Sequence, residues 1–453
     1  MKPNIIFLII DSFREDKFLQ SSTSKKPNID NLIKNGTYFS NAFSTADATI
    51  LSWSSIFTGK YPFKTGIRSS RFNKLNDDVP SIFSHLKKSN YSFYGFLPTF
   101  SETIGLFPNF KNDNFLYDYT ETLYTGLGEK IILLLSNMKK NEPWFLTIHL
   151  LDLHFPLLVP KKFDSEEYGF SKYDRIVSSL DEWLKIFLKK VDFSNTILVI
   201  TADHGTYIKK IKKNSEIIDF EDDAEKELLI KNVSKNIPSI LKPIKDKLFL
   251  KLQDKKRNSV LNELSKHQLT NYEKRTLTGG LISKDHFMFD DQIHVPLLFV
   301  GKNIEHDKKF FKQVSLIDIF PTIAYLVNDS FDYTSCDGKN LLPLKSENIF
   351  IEKLAYFESN PLIDMPSNDV VGIRSSNFKY FRDKNSKDKR IHLFDLKNDI
   401  LEEYNSSTSN PIQVEKMENE LQKLLNSKKD DIVNKENSNS DEIENELRKM
   451  GYV

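Results

Sequence analysis

Ile5-Ile6-Phe7-Leu8-Ile9-Ile10-Asp11 decides the reading: six apolar residues in succession, closed by a carboxylate. The run is short for the core of a secretion signal and has no small-residue cleavage pattern behind it. It is also far below the roughly 20 apolar residues that a membrane helix needs. Continuous apolarity fits a strand buried on both faces of a parallel sheet. The same form recurs downstream. Trp144–Leu151 runs into Asp152 and His154, Thr196–Thr201 runs into Asp203 and His204, and Val295–Val300 is a fourth such run. Helical patterns lie between them, a short one over Pro80–Lys88 and a longer one over Tyr173–Val191, with Ile176, Leu180, Trp183, Leu184, Phe187 and Leu188 on one face. This alternation predicts an α/β fold whose large mixed, mostly parallel sheet is sandwiched by helices. In such sheets ligands gather just past the carboxyl ends of the strands, where Asp11, Asp152, His154, Asp203 and His204 stand.

The 453 residues allow a catalytic domain over 1–345, a small antiparallel subdomain over 346–410 and a helical or flexible tail over 411–453. Residues 208–283, rich in Lys and Glu and with Lys247–Leu252 as their one strand-like run, read as a largely helical insertion. The patches VVGIRS, FKYFR and IHLFDL between Asp369 and Tyr404 predict the antiparallel strands. Residues 426–442 read as a linker, and Ile443, Leu447 and Met450 would let the last turn dock back. With 64 Lys and Arg against 63 Asp and Glu, the net charge of +1 argues against a nucleic-acid partner. A single cysteine, Cys336, excludes an internal disulfide and any multi-cysteine metal site. No membrane span is expected, and the location expected is cytoplasmic.

Four segments carry chemistry at strand ends: Asp11, Asp152 with His154, Asp203-His204, and His286 with Asp290-Asp291. One aspartate after an apolar run is ordinarily a helix cap. Several converging acids need a cation to offset their repulsion. Oxygen ligands mixed with imidazole favour Zn²⁺ or Mn²⁺, with Ca²⁺ or Mg²⁺ possible. Arg14 reads as an anchor for a buried carboxylate, His149 as open between a site role and a core role, the core favoured by its mid-strand position, and Asp290-Asp291 as orienting or capping residues.

The segments Pro3–Arg14, Ala48–Pro62 (ending Thr58-Gly59-Lys60-Tyr61-Pro62), His149–Pro156, Thr201–Gly205 and His286–Leu297 resemble, in order, the defining segments of the sulfatases, within the alkaline phosphatase superfamily. Val314–Thr322, Asp337–Leu344, Gly372–Tyr380 and the closing Met450–Val453 extend the likeness almost end to end, sparing mainly 208–283. The resemblance implies an alkaline-phosphatase-like fold and a divalent metal held by Asp11, Thr49, Asp203 and His204. It implies that His154 and His286 either act on the leaving group or join Asp152 at a second metal, and that Lys284 adds positive charge. Ser12 stands where many sulfatases have a further aspartate, which weakens a Ca²⁺ site.

Thr49 occupies the position at which sulfatases carry the residue converted to formylglycine, with Leu51 in place of proline and Trp53 in place of arginine. Threonine cannot become that aldehyde, so the geminal-diol cycle is closed to it. A phospho-threonine can be hydrolysed by water. The expectation is therefore a metal-dependent hydrolase of phosphate or sulfate esters, the phosphoester favoured, acting on a small molecule, glycan or lipid head group with Thr49 as nucleophile. The alternatives are a phosphoglycerol or phosphoethanolamine transferase modifying surface glycans, and a catalytically silent anion-binding protein.

Overall fold

The computed structural model describes residues 2–19, 23–67, 74–138, 143–221, 255–279, 285–327, 330–343, 353–361, 367–385 and 389–427. Its main sheet contains β1 (Asn4–Ile10), β2 (Gly36–Phe43), β3 (Ser92–Pro98), β4 (Leu116–Tyr117), β5 (Trp144–Leu150) and β6 (Thr196–Thr201). Beyond a separate hairpin of β7 (Lys210–Lys213) and β8 (Glu216–Asp219), β9 (His294–Gly301), β10 (Lys308–Phe310) and β11 (Val314–Ser315) complete it. The order is β10-β2-β9-β6-β1-β5-β3-β4, with β11 also on β2. Pairing is parallel except that β9 runs antiparallel to both β2 and β6. This is the mixed, mostly parallel sheet that the apolar runs predict.

Every residue of β1 is buried, because β5 and β6 flank it and side chains cover both faces. That is why its sequence shows no alternation. Helices Thr49–Thr58 and Lys172–Leu188 belong to the layers that close over the sheet. The second is amphipathic, presenting Ile176, Leu180, Leu184 and Phe187 to the main core. Its start is fixed by a capping box in which the Ser171 hydroxyl accepts from the Asp174 N–H.

A second sheet, β12 (Ala355–Glu358), β13 (Val370–Arg374), β14 (Phe378–Asp383) and β15 (Ile391–Asp395), is wholly antiparallel and lies in chain order. Tyr356, Ile373 and Tyr380 pack with Met417 and Leu421 of helix Pro411–Asn426 and with Tyr61 and Phe63. Phe357, Phe381 and Phe394 pack with Phe43, Met288 and Ile293, which belong to the main-sheet side. The Glu358 N–H donates to Thr45 O, so β12 reaches the loop that precedes Thr49.

The described part of the inserted segment contains strands as well as the helices expected of it. It opens with the β7–β8 hairpin, turned at Asn214 with φ 55°. Residues 255–264 and Asn271–Thr278 are helical. The hairpin is hidden in sequence because most of its exposed positions, Lys212, Asn214, Ser215, Glu216 and Asp219, are polar, so KIKKNSEIID reads as a charge run. Lys247–Leu252 and the tail beyond 427 lie outside the described residues.

Candidate active site

Asp11, at the carboxyl end of β1, is completely buried, as are Asp203 and His149. Parallel pairing sets Ile9 beside His149 on one flank and beside Thr201 on the other, so the three strand ends come together. Ser12 takes φ 61°, which turns its N–H toward Asp203 Oδ1 at 3.3 Å, while its hydroxyl donates to Asp11 Oδ1 at 2.6 Å.

Thr49 opens helix Thr49–Thr58, and Ala48 before it is extended. The Thr49 side chain is 1% exposed, and its hydroxyl donates to Asp11 Oδ2 at 3.1 Å. The hydroxyl also lies close enough to Asp203 to ease that carboxylate's charge. Ala48, as N-cap residue, makes no side-chain cap hydrogen bond. The first N–H groups of this helix have no intrahelical acceptor, which makes its start a place for an anion.

Burial would raise the Asp11 carboxyl. The fields of His154 and His204 and the His149 hydrogen bond outweigh it and hold Asp11 well below the usual carboxylate range. Burial, together with the charge of Asp11, pushes Asp203 up. Burial would lower the His204 imidazole, but Asp203 and Asp11 raise it on balance. His204 Nε2 lies 3.6 Å from Asp203 Oδ2 and 3.9 Å from Asp11 Oδ1, and its Nδ1 meets Gly205 O at 2.9 Å. Asp203 Oδ2 is buried with no hydrogen-bond partner among the described residues. Two adjacent buried carboxylates, one oxygen of them orphaned, fit a divalent cation.

His154 is half-buried, and its Nδ1 meets Phe155 O at 2.7 Å. His286 is half-buried on a segment pinned by its N–H to Asn368 O. Asp152 is buried; its Oδ1 accepts from the Leu123 N–H, its Oδ2 has no hydrogen-bond partner among the described residues, and burial pushes its carboxyl up to about 7. Among the described residues, the group whose ligand atoms all lie within 4.8 Å of one another is Asp11, His149 and Asp203. Asp152, His154 and His286, like His204, are not part of that group among the described residues. Lys284 lies outside the described residues.

Two residues at the site escaped sequence reasoning. His149 looks like core because apolar residues surround it; its position one residue before the end of β5, beside the end of β1, was the available signal. Asp47, raised by burial and drawn back by His286 and His204, accepts from the Asn360 N–H at 2.7 Å. Nothing in the sequence marks it. Arg14 does anchor buried carboxylate: its Nη1 is 2.6 Å from Asp291 Oδ1.

Comparison with known proteins gives the family. A family model described as Sulfatase matches residues 3–329. An ulvan-active sulfatase of Formosa agariphila is 27% identical over 237 residues, 45% of this chain and 45% of that protein, so the match spans about half of that relative's length. A second Formosa agariphila protein, described as a sulfatase, is 23% identical over 400 residues, 77% of this chain and 73% of that protein. Among solved structures, a phosphonate monoester hydrolase of Agrobacterium radiobacter aligns at TM-score 0.65 and 14% identity, covering 94% of this chain and 96% of that one. A protein solved with D-glucosamine-2-N,6-O-disulfate as its substrate aligns at TM-score 0.61 and 15% identity, covering 94% and 97%. At such identities the structural likeness speaks for the fold. Among the described residues no helix is long and apolar enough to cross a membrane. The family match covers well over half the chain and includes every strand that converges on Asp11 and Asp203: this chain belongs to the sulfatase family.

Proposed function

We propose that the chain is a hydrolase of phosphate or sulfate esters in which Thr49 is the nucleophile, with phosphoesters favoured. The observation that carries this reading is the Thr49 hydroxyl, held against Asp11 Oδ2 and Asp203 at the start of a helix. Asp11 and Asp203, with His204 beside them, are the residues that would hold a divalent cation. When bound, the cation supplies the positive charge that offsets the carboxylates and polarises the ester.

The chain's own residues divide the remaining work. Asp11 Oδ2 accepts the Thr49 hydrogen bond and turns the oxygen's lone pairs into the pocket, and as Oγ1 attacks, its proton passes to Asp203, whose carboxyl is pushed up by burial and the Asp11 charge. Threonine Oγ1 attacks phosphorus, the bond to the ester oxygen breaks, and an imidazolium, His154 or His286, gives its proton to the departing alcohol. Water then attacks the phospho-threonine at phosphorus, passing a proton to the imidazole left neutral by the first step, while the bond from phosphorus to Oγ1 breaks and Asp203 returns its proton to Thr49. On a sulfate ester the second step would need water to attack sulfur directly, which is the chemical reason for favouring phosphorus. The neighbour solved with D-glucosamine-2-N,6-O-disulfate as its substrate supports a sugar ester as the organic half.

The test is a parallel assay on aryl phosphate, aryl phosphodiester and aryl sulfate, with Thr49→Ala as control. Removing a catalytic nucleophile should cost about 10³-fold or more in kcat. Sulfate turnover that survives Thr49→Ala would overturn the mechanism, and so would a requirement for an acceptor alcohol, which would make the enzyme a transferase.

A further inference from the structure

Thr49 and Trp53 are four residues apart on one helix and therefore share a face. Both turn toward the buried end of β1. Trp53 is completely buried, with its indole stacked on Phe100 at 5.2 Å and edge-on to Phe107 at 5.0 Å, so the ring is clamped. Its Nε1–H points at His149 Nδ1 at a distance of 3.2 Å. An indole nitrogen only donates. His149 Nδ1 must then present a lone pair, and in a neutral imidazole the proton sits on Nε2. That nitrogen lies 3.2 Å from Asp11 Oδ2. Asp11 Oδ2 thus accepts from both the His149 ring and the Thr49 hydroxyl.

Two other imidazoles of the site, His204 and His154, show the opposite arrangement. His204 Nδ1 and His154 Nδ1 each face a backbone carbonyl, that of Gly205 and that of Phe155. A carbonyl only accepts, so the proton sits on Nδ1 there, and Nε2 is the atom turned toward the chemistry. For His204 this nitrogen faces Asp203 Oδ2 and Asp11 Oδ1. His149 is close enough to Asp11 and Asp203 to share an ion with them, yet its lone pair is turned away from them toward Trp53.

We propose that Trp53 is a positioning residue: by donating to His149 Nδ1 it makes His149 a hydrogen-bond donor to Asp11 Oδ2 instead of a metal ligand, and so reserves the cation for Asp11, Asp203 and His204. This deepens the cation site of the proposed function and rests on it. A ligand's outer hydrogen-bond partners commonly set metal affinity by 10–100-fold. Trp53 acts one step further out, through His149.

The test is long-range proton–nitrogen NMR on the full chain labelled at histidine nitrogen, with and without Zn²⁺, the His149 signals being assigned by their loss in His149→Gln. The expected spectrum shows His149 protonated on Nε2 and bare on Nδ1 in both states. Trp53→Phe, which keeps the ring packing and removes the donor, should mix the two tautomers and weaken Zn²⁺ binding by calorimetry about 10-fold. A proton on Nδ1 in the wild type would overturn the proposal. So would loss of the Nε2 proton on adding Zn²⁺, since His149 would then be a ligand. A Trp53→Phe protein with unchanged tautomer and affinity would do the same. If Trp53→Phe fails to fold, the wild-type spectra decide. Absence of ester turnover would refute the proposed reaction while leaving these nitrogen signals as they are.

Discussion

Lys379→Met should destabilise the protein by an amount that grows with pH. Lys379, on β14, is completely buried, with Nζ 2.9 Å from Asp290 Oδ1 and 2.8 Å from Glu402 Oε1. Arg374 also grips Asp290, through Nε and Nη2 at 2.9–3.2 Å. Two carboxylates and two cations therefore form one closed group, and Asp290 sits four residues after His286. Removing one partner of a buried pair costs about 3–5 kcal/mol, because the other charge is left stranded. Arg374 still neutralises Asp290 in the variant, so Glu402 bears the loss. Its carboxyl is already pushed up to about 7, chiefly by burial, with Asp290 adding to the rise and Lys379 opposing it.

The sign follows from proton counts. Below about pH 7 the folded wild type holds a proton on Glu402 that the unfolded chain has released, so its stability falls as pH rises and then levels off. Without Lys379 the folded pKa climbs further, and the fall continues beyond that point. At about 1.4 kcal/mol per pH unit, the gap between variant and wild type should widen by about 2 kcal/mol from about pH 7 to about pH 8.5. Urea unfolding followed by circular dichroism at both pH values measures it. Lys379→Met with Glu402→Gln should recover most of the loss. A deficit under about 1 kcal/mol at the higher pH, or one that does not change with pH, would refute the reasoning.

Asp203→Asn should abolish divalent-cation binding by calorimetry, yet in chelator it should melt no lower than the wild type, since a carboxylate raised by burial and by Asp11 is relieved; a lower melting temperature in chelator would count against the cation site. His392, brought down to about 4 by burial and then by Arg390, stays neutral where the unfolded chain's histidine is charged, so stability falls as pH drops from about 6.5 to about 4. His392→Gln should flatten that limb by about 1–2 kcal/mol in pH-dependent melts, discounted for partial exposure. Gly59→Ala places a methyl 2.7 Å from Cys336 Sγ on a backbone with φ +66°, and should cost about 1–3 kcal/mol in thermal unfolding; an effect below about 0.5 kcal/mol would show that the turn yields freely. With Trp53 where arginine is usual, the pocket lacks one positive charge, worth about 3 kcal/mol at about 5 Å and an effective dielectric of about 20. Aryl phosphodiester, with one negative charge, should then be preferred over the doubly charged monoester, and Trp53→Arg should move that ratio toward the monoester in kcat/KM.

Legibility in the sequence tracked burial. β1, β5, β6 and β9 announce themselves because two covered faces leave no room for polar residues. β2, GTYFSNAF, is buried almost as fully but carries Thr, Ser and Asn, whose side chains find backbone acceptors such as Glu305 O and Phe310 O, so its apolar signal is diluted. β7 and β8 fail to show for the opposite reason, being mostly solvated on a two-stranded ribbon. Asp11, Asp203 and His204 were legible since strand ends are where polar residues would otherwise be wasted.

His149 and Trp53 were not legible one at a time, because each is a buried ring that packs well as core. Only the pair has a chemical meaning. An indole donor aimed at an imidazole fixes where a proton sits, and the consequence falls on a third residue, Asp11, on another strand. Sequence position carries residue type and local periodicity; it does not carry the direction of a hydrogen bond between a helix and a strand 96 positions apart. The departure from the family's arginine reads at first as the loss of a charge. In the folded chain the indole at this position donates to His149 Nδ1, and His149 Nε2 lies beside Asp11 Oδ2, so the position is tied to that buried carboxylate through one intervening ring.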